Sequence, residues 1–507
     1  MKNIKSLYRI WKFNLKNFRT SLVFGLILTA FVVTFNSCDD FIEVAPEDVI
    51  DADTFFSNPD ELIFALNGVY AYQRNIFGNF NYFNLIEART DNAGQDQLDQ
   101  KERVETDTFE ETPGNLLLVN VWTQNYILIN NANNVIARAP DVPFETTDEG
   151  ALIDRAVGEA KFLRALSYFV LANMFGDVPL RTEPTTDFNN ATIPRSPVSD
   201  VYTQIIADLN DAIAVLPNTY SGGQQQEEGR ATKLAAFTLL AKVQLQIGNN
   251  GAASSALNNV IGQYELLPNY AELYAAGNDN SVESIFEVSF NPTNETGLGM
   301  NNLLIPASEA ASLGIVAGGF AGNLPTFPTQ DVQGIYEAGD LRADASFTTY
   351  DNNGTPALYI SKYIDLDAAG AGSDINLILL RYADALLMKA EADGESASSY
   401  ELINQVRRRA FGQDPDTPNP AIDIDASSPG TFIEKIMLER RRELVFEGQR
   451  YFDLKRLPSA DALTIINNHL SAEYTGVPTV QEYQLVYPIP QGEIDVSNGV
   501  ITQNPGY

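Results

Sequence analysis

Residues 230–261 read RATKLAAFTLLAKVQLQIGNNGAASSALNNVI, and the fold hangs on how they are parsed. Apolar residues recur at helical spacing through 230–247, break at Gly248-Asn249-Asn250, and resume at Ala253, Ala256, Leu257, Val260 and Ile261. That is the pattern of two helices joined by a short turn. Gly248 can take the left-handed conformation that reverses the chain, and Ala236, Ala241 and Ala256 are small enough to let the helices approach closely. The same layout returns in LRYADALLMKAEADGE from Leu380, with Gly394 near its turn, followed by SYELINQVRRRA over Ser399–Ala410. Helix pairs of one design imply a tetratricopeptide-like body, because each pair buries its apolar stripe only against a neighbour. Residues 151–174 add a long helix with Ala156, Ala160, Leu163, Leu166, Phe169 and Val170 on one stripe, ending before Phe175-Gly176-Asp177-Val178-Pro179. Between 281 and 372 the stripe vanishes and Gly, Asn, Pro and Ser dominate. This predicts a loop-rich insertion on a mostly α scaffold, the kind of segment on which binding surfaces are built.

The 507 residues carry 66 Asp plus Glu against 33 Lys plus Arg, a formal net charge of −33, with one His and one Cys. Such an excess repels phosphate backbones and anionic headgroups, which argues against nucleic acid as a partner. A single cysteine rules out an intramolecular disulfide and any zinc site built from several cysteines. At the N-terminus Lys2, Lys5, Arg9, Lys12, Lys16 and Arg19 precede the apolar run SLVFGLILTAFVVTF of residues 21–35. This is the layout of a secretory signal. Its apolar run makes ~22 Å of helix, short of the roughly 30 Å needed to span a bilayer core. FNSC at 35–38 is similar to a bacterial lipobox, so residues 1–37 are the expected signal peptide and Cys38 the expected lipidation (palmitate) site. The acidic, proline-containing stretch DDFIEVAPEDVIDADTFFSNPD that follows reads as a tether, giving residues 38–60 as the lipid-anchored leader of the folded body.

Five segments in order carry a family resemblance: EAKFLRALSYFVLANMFGDVPL from Glu159, GRATKLAAFTLLAKVQLQIG from Gly229, LRYADALLMKAEA from Leu380, IMLERRRELVFEGQRYFDLKR from Ile436, and YPIPQGEI with the closing QNPGY. Together they resemble the SusD/RagB family of Bacteroidetes outer-membrane lipoproteins. The resemblance implies a SusD-like fold with tetratricopeptide-like helix pairs, a loop-rich remainder holding the ligand, no catalysis and no cofactor. It also implies a lipid-anchored, surface-exposed protein that passes oligosaccharides to a SusC-like TonB-dependent transporter. The RagB side of the family leaves peptides open as the ligand. Asp39-Asp40 after the cysteine resembles the family's surface-export signal. The chain then divides into an N-terminal helical region, 61–280, the insertion, 281–375, and a C-terminal helical region, 376–507.

Arg440, Arg441, Arg442 and Arg450 with Glu439, Glu443 and Glu447 form a dense charged cluster. Arg440 and Glu443 are three apart, as are Glu439 and Arg442, while Leu444, Phe446 and Phe452 supply a buried stripe; a structural network is the reading, and Arg407–Arg409 are read alike. His469, the one histidine, is expected at a surface or helix end, and no nucleophile elbow or phosphate loop accompanies it. DNNG at 351–354 is similar to the start of a calcium loop, but Thr355 and Pro356 stand where a ligand and a glycine are needed, so a turn is expected and no metal. Trp122, at helical spacing with Tyr126 and Ile129, is expected in the core. Tyr and Phe must then supply the stacking faces a sugar uses. The candidates are Phe80 and Tyr82 among Asn79, Asp91 and Asn92 in a presumed loop over 73–95, and Phe320 with Asn323 in the insertion; the tyrosines between Tyr336 and Tyr363 stand in reserve.

Overall fold

Gly248 does turn the chain. In the computed structural model its φ is +76°, and its N–H donates to Leu245 O at 2.9 Å, closing the helix before it. The structure describes residues 55–507 apart from 97–99, 188–190, 221–228, 292–296, 314–325, 353, 367 and 369–371. The described helices used below are α1 (Pro59–Phe77), α2 (Phe80–Glu87), α3 (Leu116–Arg138), α4 (Thr147–Phe175), α5 (Val198–Val215), α6 (Lys233–Gln246), α7 (Asn250–Leu257), α8 (Tyr382–Asp393), α9 (Ala397–Ala410), α10 (Phe432–Glu443), α11 (Arg450–Arg456) and α12 (Ser459–Glu473). The strands are β1 (Ala93–Gly94), β2 (Ser284–Val288), β3 (Phe327–Pro328), β4 (Phe347–Asn352), β5 (Thr355–Ile360) and β6 (Leu377–Arg381).

Several helices start where a side chain can satisfy their free N–H groups. Thr232 caps α6 by accepting from Ala235 N at 3.0 Å, and Ser396 caps α9 by accepting from Ser399 N at 3.1 Å. Thr146 and Glu149 form a reciprocal capping box on α4, as Thr431 and Glu434 do on α10. From α3 to α9 each helix packs on the next in sequence, α7 against α8 included, so the two hairpins seen in the sequence stack in one array. This is the tetratricopeptide-like arrangement, and it explains why α6 is apolar nearly all round: it has neighbours on every side.

The strands form two-stranded antiparallel pairs: β1 with β3, β2 with β6, and β4 with β5. Thus the insertion enters through β2 and leaves through β6, Val288 lying opposite Leu377, and it carries the β4–β5 hairpin. Leu377–Arg381 is a strand, so the helix expected from Leu380 begins at Tyr382. The DNNG segment closes the hairpin, with Gly354 at φ +89° donating to Asp351 Oδ1 at 2.5 Å. A single apolar cluster runs from Leu62 to Ile501 and draws on the N-terminal region, the insertion and the C-terminal region alike.

The charged cluster lies inside. Glu443 accepts from Arg381 at 2.6 Å, from Arg342 at 3.0 Å and from Arg409; Glu439 accepts from Arg342 at 2.8 Å and Arg407 at 2.9 Å; Glu447 accepts from Arg381 and Lys362 at 2.7 Å each. Arg440, however, does not face Glu443. It pairs with Asp384 at 2.8 Å and Asp453 at 2.9 Å, joining α10 to α8 and α11. Of the expected neighbours on the helix, only Glu439 and Arg442 meet, at 3.7 Å. Charges taken out of water need several close partners, and those partners come from other elements.

Candidate ligand-binding site

The segment 73–95, expected as a loop, is the end of α1, then α2, a turn and β1, and its aromatic side chains point inward. Asn79 caps α2, accepting from Asn81 N at 3.0 Å, and its amide donates to Asn120 Oδ1 at 3.2 Å. Phe80 is 5% exposed, 6.0 Å from the Phe83 ring with the Arg103 guanidinium over its face; Tyr82 is 6% exposed, edge-on to Phe77 at 5.2 Å. Neither offers a free face to a sugar. Three- and four-residue spacing in FNYFNLIE puts Phe80, Phe83 and the rest of the apolar side on the core, and the asparagines that suggested a loop serve as a cap and as buried hydrogen-bond partners.

Asp91 and Asn92 are also buried, and they hold the turn that precedes β1. Burial opposes ionisation of Asp91, but Arg450 and Arg441 outweigh it and hold the carboxyl well below the usual range. Arg450 reaches both of its oxygens at 2.7 Å, and Arg441 stands at 3.1 Å. Asn92 Oδ1 accepts from Arg441 Nε at 2.8 Å. The backbone of this pair grips the insertion: Thr329 Oγ1 donates to Asp91 O at 2.9 Å and Thr329 N to Asn92 O at 3.1 Å. Next, Ala93 lies opposite Pro328 and Gly94 opposite Phe327. Gln95 Nε2 donates to Thr326 Oγ1 at 2.8 Å, and its backbone N donates to Asp107 Oδ2 at 2.7 Å. Asp107 also accepts from the Tyr474 hydroxyl. Burial pushes the Asp107 carboxyl up to about 8, with the Tyr474 and Gln95 hydrogen bonds pulling the other way.

Beside these contacts lies a cavity of about 640 Å³ bordered by Asp96, β3 and the short helix after Thr329, the β4–β5 hairpin and the end of α12. Phe327 and Tyr350, both half-buried, stand on its wall. Tyr350 is braced edge-on by the buried Tyr359 at 5.9 Å, and β3 packs on β5. Asp96, Gln330, Gln333 and Glu473 present amide and carboxylate groups beside the rings. Aromatic side chains flanked by amides and acids suit a polyhydroxyl ligand with apolar C–H faces. The cavity includes none of the expected contacts Asn79, Phe80, Tyr82, Asp91 and Asn92. Phe320 and Asn323, like Cys38, lie outside the described residues. Tyr350 belongs to the tyrosines held in reserve. Phe327 and the glutamines after it carry a weaker signal: an aromatic beside Pro328 and two amides, in the insertion already read as a binding surface.

Trp122 is 2% exposed, edge-on to Phe175 at 5.0 Å, as its spacing suggested. His469 differs from expectation. It is 9% exposed, burial lowers its pKa against the opposing pull of Asp91, and Nε2 has no hydrogen-bond partner among the described residues. Its position on the inner side of α12, with Ile466 and Leu470, accounts for this.

Two family models follow one another along the chain: one described as starch-binding associating with outer membrane matches residues 40–245, and that of the SusD family matches residues 258–507. This chain belongs to the SusD family. The starch-binding protein SusD of Bacteroides thetaiotaomicron is 26% identical over 71% of this chain and 74% of its own length. A SusD-like protein of Bacteroides ovatus is 27% identical over 85% of this chain and 81% of its own. Among solved structures, a laminarin-binding SusD-like protein is 29% identical, covers 89% of this chain and 100% of its own, and superposes with a TM-score of 0.73. Surface glycan-binding protein A from Bacteroides fluxus is 26% identical and also superposes with a TM-score of 0.73, over 88% of this chain and 99% of its own. The SusD-like fold is thus shared with proteins named for binding glycans.

Proposed function

We propose that this protein captures oligosaccharides at the cell surface and hands them, uncleaved, to a SusC-like TonB-dependent transporter in the outer membrane. The observation that carries the reading is the cavity itself, lined by the half-buried Phe327 and Tyr350 among Asp96, Gln330, Gln333 and Glu473. Its relatives named for starch, laminarin and surface glycans point to the same ligand class. Phe320 and Asn323 stand shortly before Phe327 in the sequence and are proposed as further ligand contacts. Asp91 and Asn92 act as positioning residues that fix the turn and, through it, Phe327.

Calorimetry with starch- and laminarin-derived oligosaccharides tests the reading. Aromatic stacking contributes about 1 to 3 kcal/mol per nucleic-acid base, which serves as the scale for a sugar ring. Phe327→Ala and Tyr350→Ala are each expected to weaken binding about tenfold for every 1.4 kcal/mol lost, with an unchanged melting temperature. No new reducing ends should appear on prolonged incubation. Binding of a peptide pool in preference to every oligosaccharide would move the assignment to the RagB side of the family.

A further inference from the structure

Another cavity, of about 390 Å³, shares no lining residue with the first. It is bordered by α3, by Pro179, Arg181 and Thr185 of the irregular stretch after α4, and by Glu493, Val496 and Ile501 near the C-terminus. Side chains of α3 and α4 supply the hydrogen bonds that hold this stretch in place. The Tyr126 hydroxyl donates to Pro179 O at 2.8 Å, Asn133 Nδ2 donates to Arg181 O at 3.3 Å and to Glu183 O at 3.0 Å, and Asn130 Oδ1 accepts from Thr185 N at 2.9 Å. Arg181 is also gripped by Tyr168, whose hydroxyl accepts from its N–H at 2.6 Å and donates to its carbonyl at 2.8 Å. The backbone of Arg181 is therefore fixed at both its polar groups.

The guanidinium takes no part in this clamp. Among the described residues it makes no hydrogen bond and no ion pair, while its charge acts on the Tyr126 hydroxyl and on Glu493, which line the same cavity. Glu493 is half-buried; burial pushes its carboxyl up, and a hydrogen bond from Trp122 with the charge of Arg181 pulls it back. A guanidinium only donates, and an ionised carboxylate only accepts. Neighbouring hydroxyls of a sugar ring do both, so one can accept from Arg181 while the next donates to Glu493. A ligand carboxylate would meet Glu493, and a ligand ammonium would meet Arg181. Ile127, half-buried, and Val496, 74% exposed, add apolar surface for the C–H side of a ring.

We infer that this cavity is a second saccharide site, in which Arg181 and Glu493 hold adjacent hydroxyls of an uncharged sugar. The inference rests on the reading of the protein as a glycan binder and is independent of which residues form the first site.

Calorimetry of the full mature chain with short oligosaccharides of starch, laminarin, xylan and mannan tests it in two backgrounds, the wild type and the double variant Phe327→Ala with Tyr350→Ala. The double variant is expected to keep a binding event. Arg181→Gln or Glu493→Gln added to it should weaken that event at least about tenfold, because each removes a charge-assisted hydrogen bond. Arg181→Lys keeps the charge without the planar fork and should recover only part of the loss. The melting temperature of Arg181→Gln should match its parent's. A double variant that binds nothing while the wild type binds, or residual binding indifferent to Arg181→Gln and Glu493→Gln, overturns the second site and leaves the first in place. Wild-type binding that survives Phe327→Ala with Tyr350→Ala unweakened but is lost in Arg181→Gln overturns the first site and keeps this one. Absence of binding by the wild type to every oligosaccharide overturns both.

Discussion

Glu443 is fully enclosed, and three guanidiniums converge on it. Burial alone would raise its pKa; Arg409, Arg381 and Arg342 outweigh that and keep it ionised. Glu443→Gln keeps the shape and removes the charge, leaving three buried cations short of a partner. Loss of about 3 to 5 kcal/mol is expected, read from chemical or thermal unfolding. An unchanged melting temperature with lost glycan binding would instead make α10 part of a ligand patch. The structural role of this cluster was legible in its density of alternating signs next to Leu444, Phe446 and Phe452. Its pairing was not, because Arg440 reaches Asp384 and Asp453, carboxylates that no sequence spacing ties to it. Tyr82 teaches the same lesson in reverse. Asparagines around an aromatic suggested a loop, yet Asn79 is a helix cap, so Tyr82→Ala is now expected to cost stability rather than affinity.

At the level of elements, the site depends on a pairing of two-residue strands, too short to leave any periodicity in the sequence. The long helices were readable because their stripes repeat over several turns; β1 and β3 meet through Thr329, Asp91 and Asn92, contacts between distant parts of the chain. Gly94 is the close point of that pairing. A Cβ there would lie 2.8 Å from the Tyr474 hydroxyl and 3.0 Å from two atoms of the Phe327 ring. Gly94→Ala must therefore shift the Tyr474 hydroxyl and press on the Phe327 ring, and glycan affinity is expected to fall severalfold, with about 1 to 3 kcal/mol of stability lost to overpacking. Calorimetry beside a melting curve separates the two effects, and unaltered affinity would show that the added methyl leaves the ligand-facing position of Phe327 unchanged. Asp107, behind the same pairing, gives the element a pH signature. Its folded pKa of about 8 lies above the unfolded value of roughly 3.9, so the folded state holds the extra proton between them. Its contribution therefore falls as pH rises from about 4 to about 8, by up to ~1.4 kcal/mol per pH unit. Asp107→Asn mimics the protonated form. Its unfolding free energy should decline less steeply than the wild type's over that range, and parallel curves would show that Asp107 does not titrate there.

For the whole molecule, the proposed surface role would require that the binding body stay attached to the membrane while keeping freedom to meet polymer. Residues 56–507 form one compact unit, and among the described residues no helix is long and apolar enough to cross a membrane. The expected lipidation site, Cys38, is the proposed point of attachment. Each acyl CH₂ placed in the bilayer contributes about 0.8 kcal/mol, and one short chain holds a protein only marginally, so a multiply acylated N-terminus is the anchor this role requires. The acids of residues 39–58 disfavour adsorption to anionic headgroups. Cys38→Ala should leave either an uncleaved precursor or a protein released from the outer-membrane fraction, with glycan affinity in solution unaltered because the cavity lies wholly within the compact unit. Fractionation with immunodetection, beside protease shaving of intact wild-type cells, measures both. A Cys38→Ala protein that still fractionates with the outer membrane in its mature form would remove Cys38 from this role and require another part of the chain to hold the protein there.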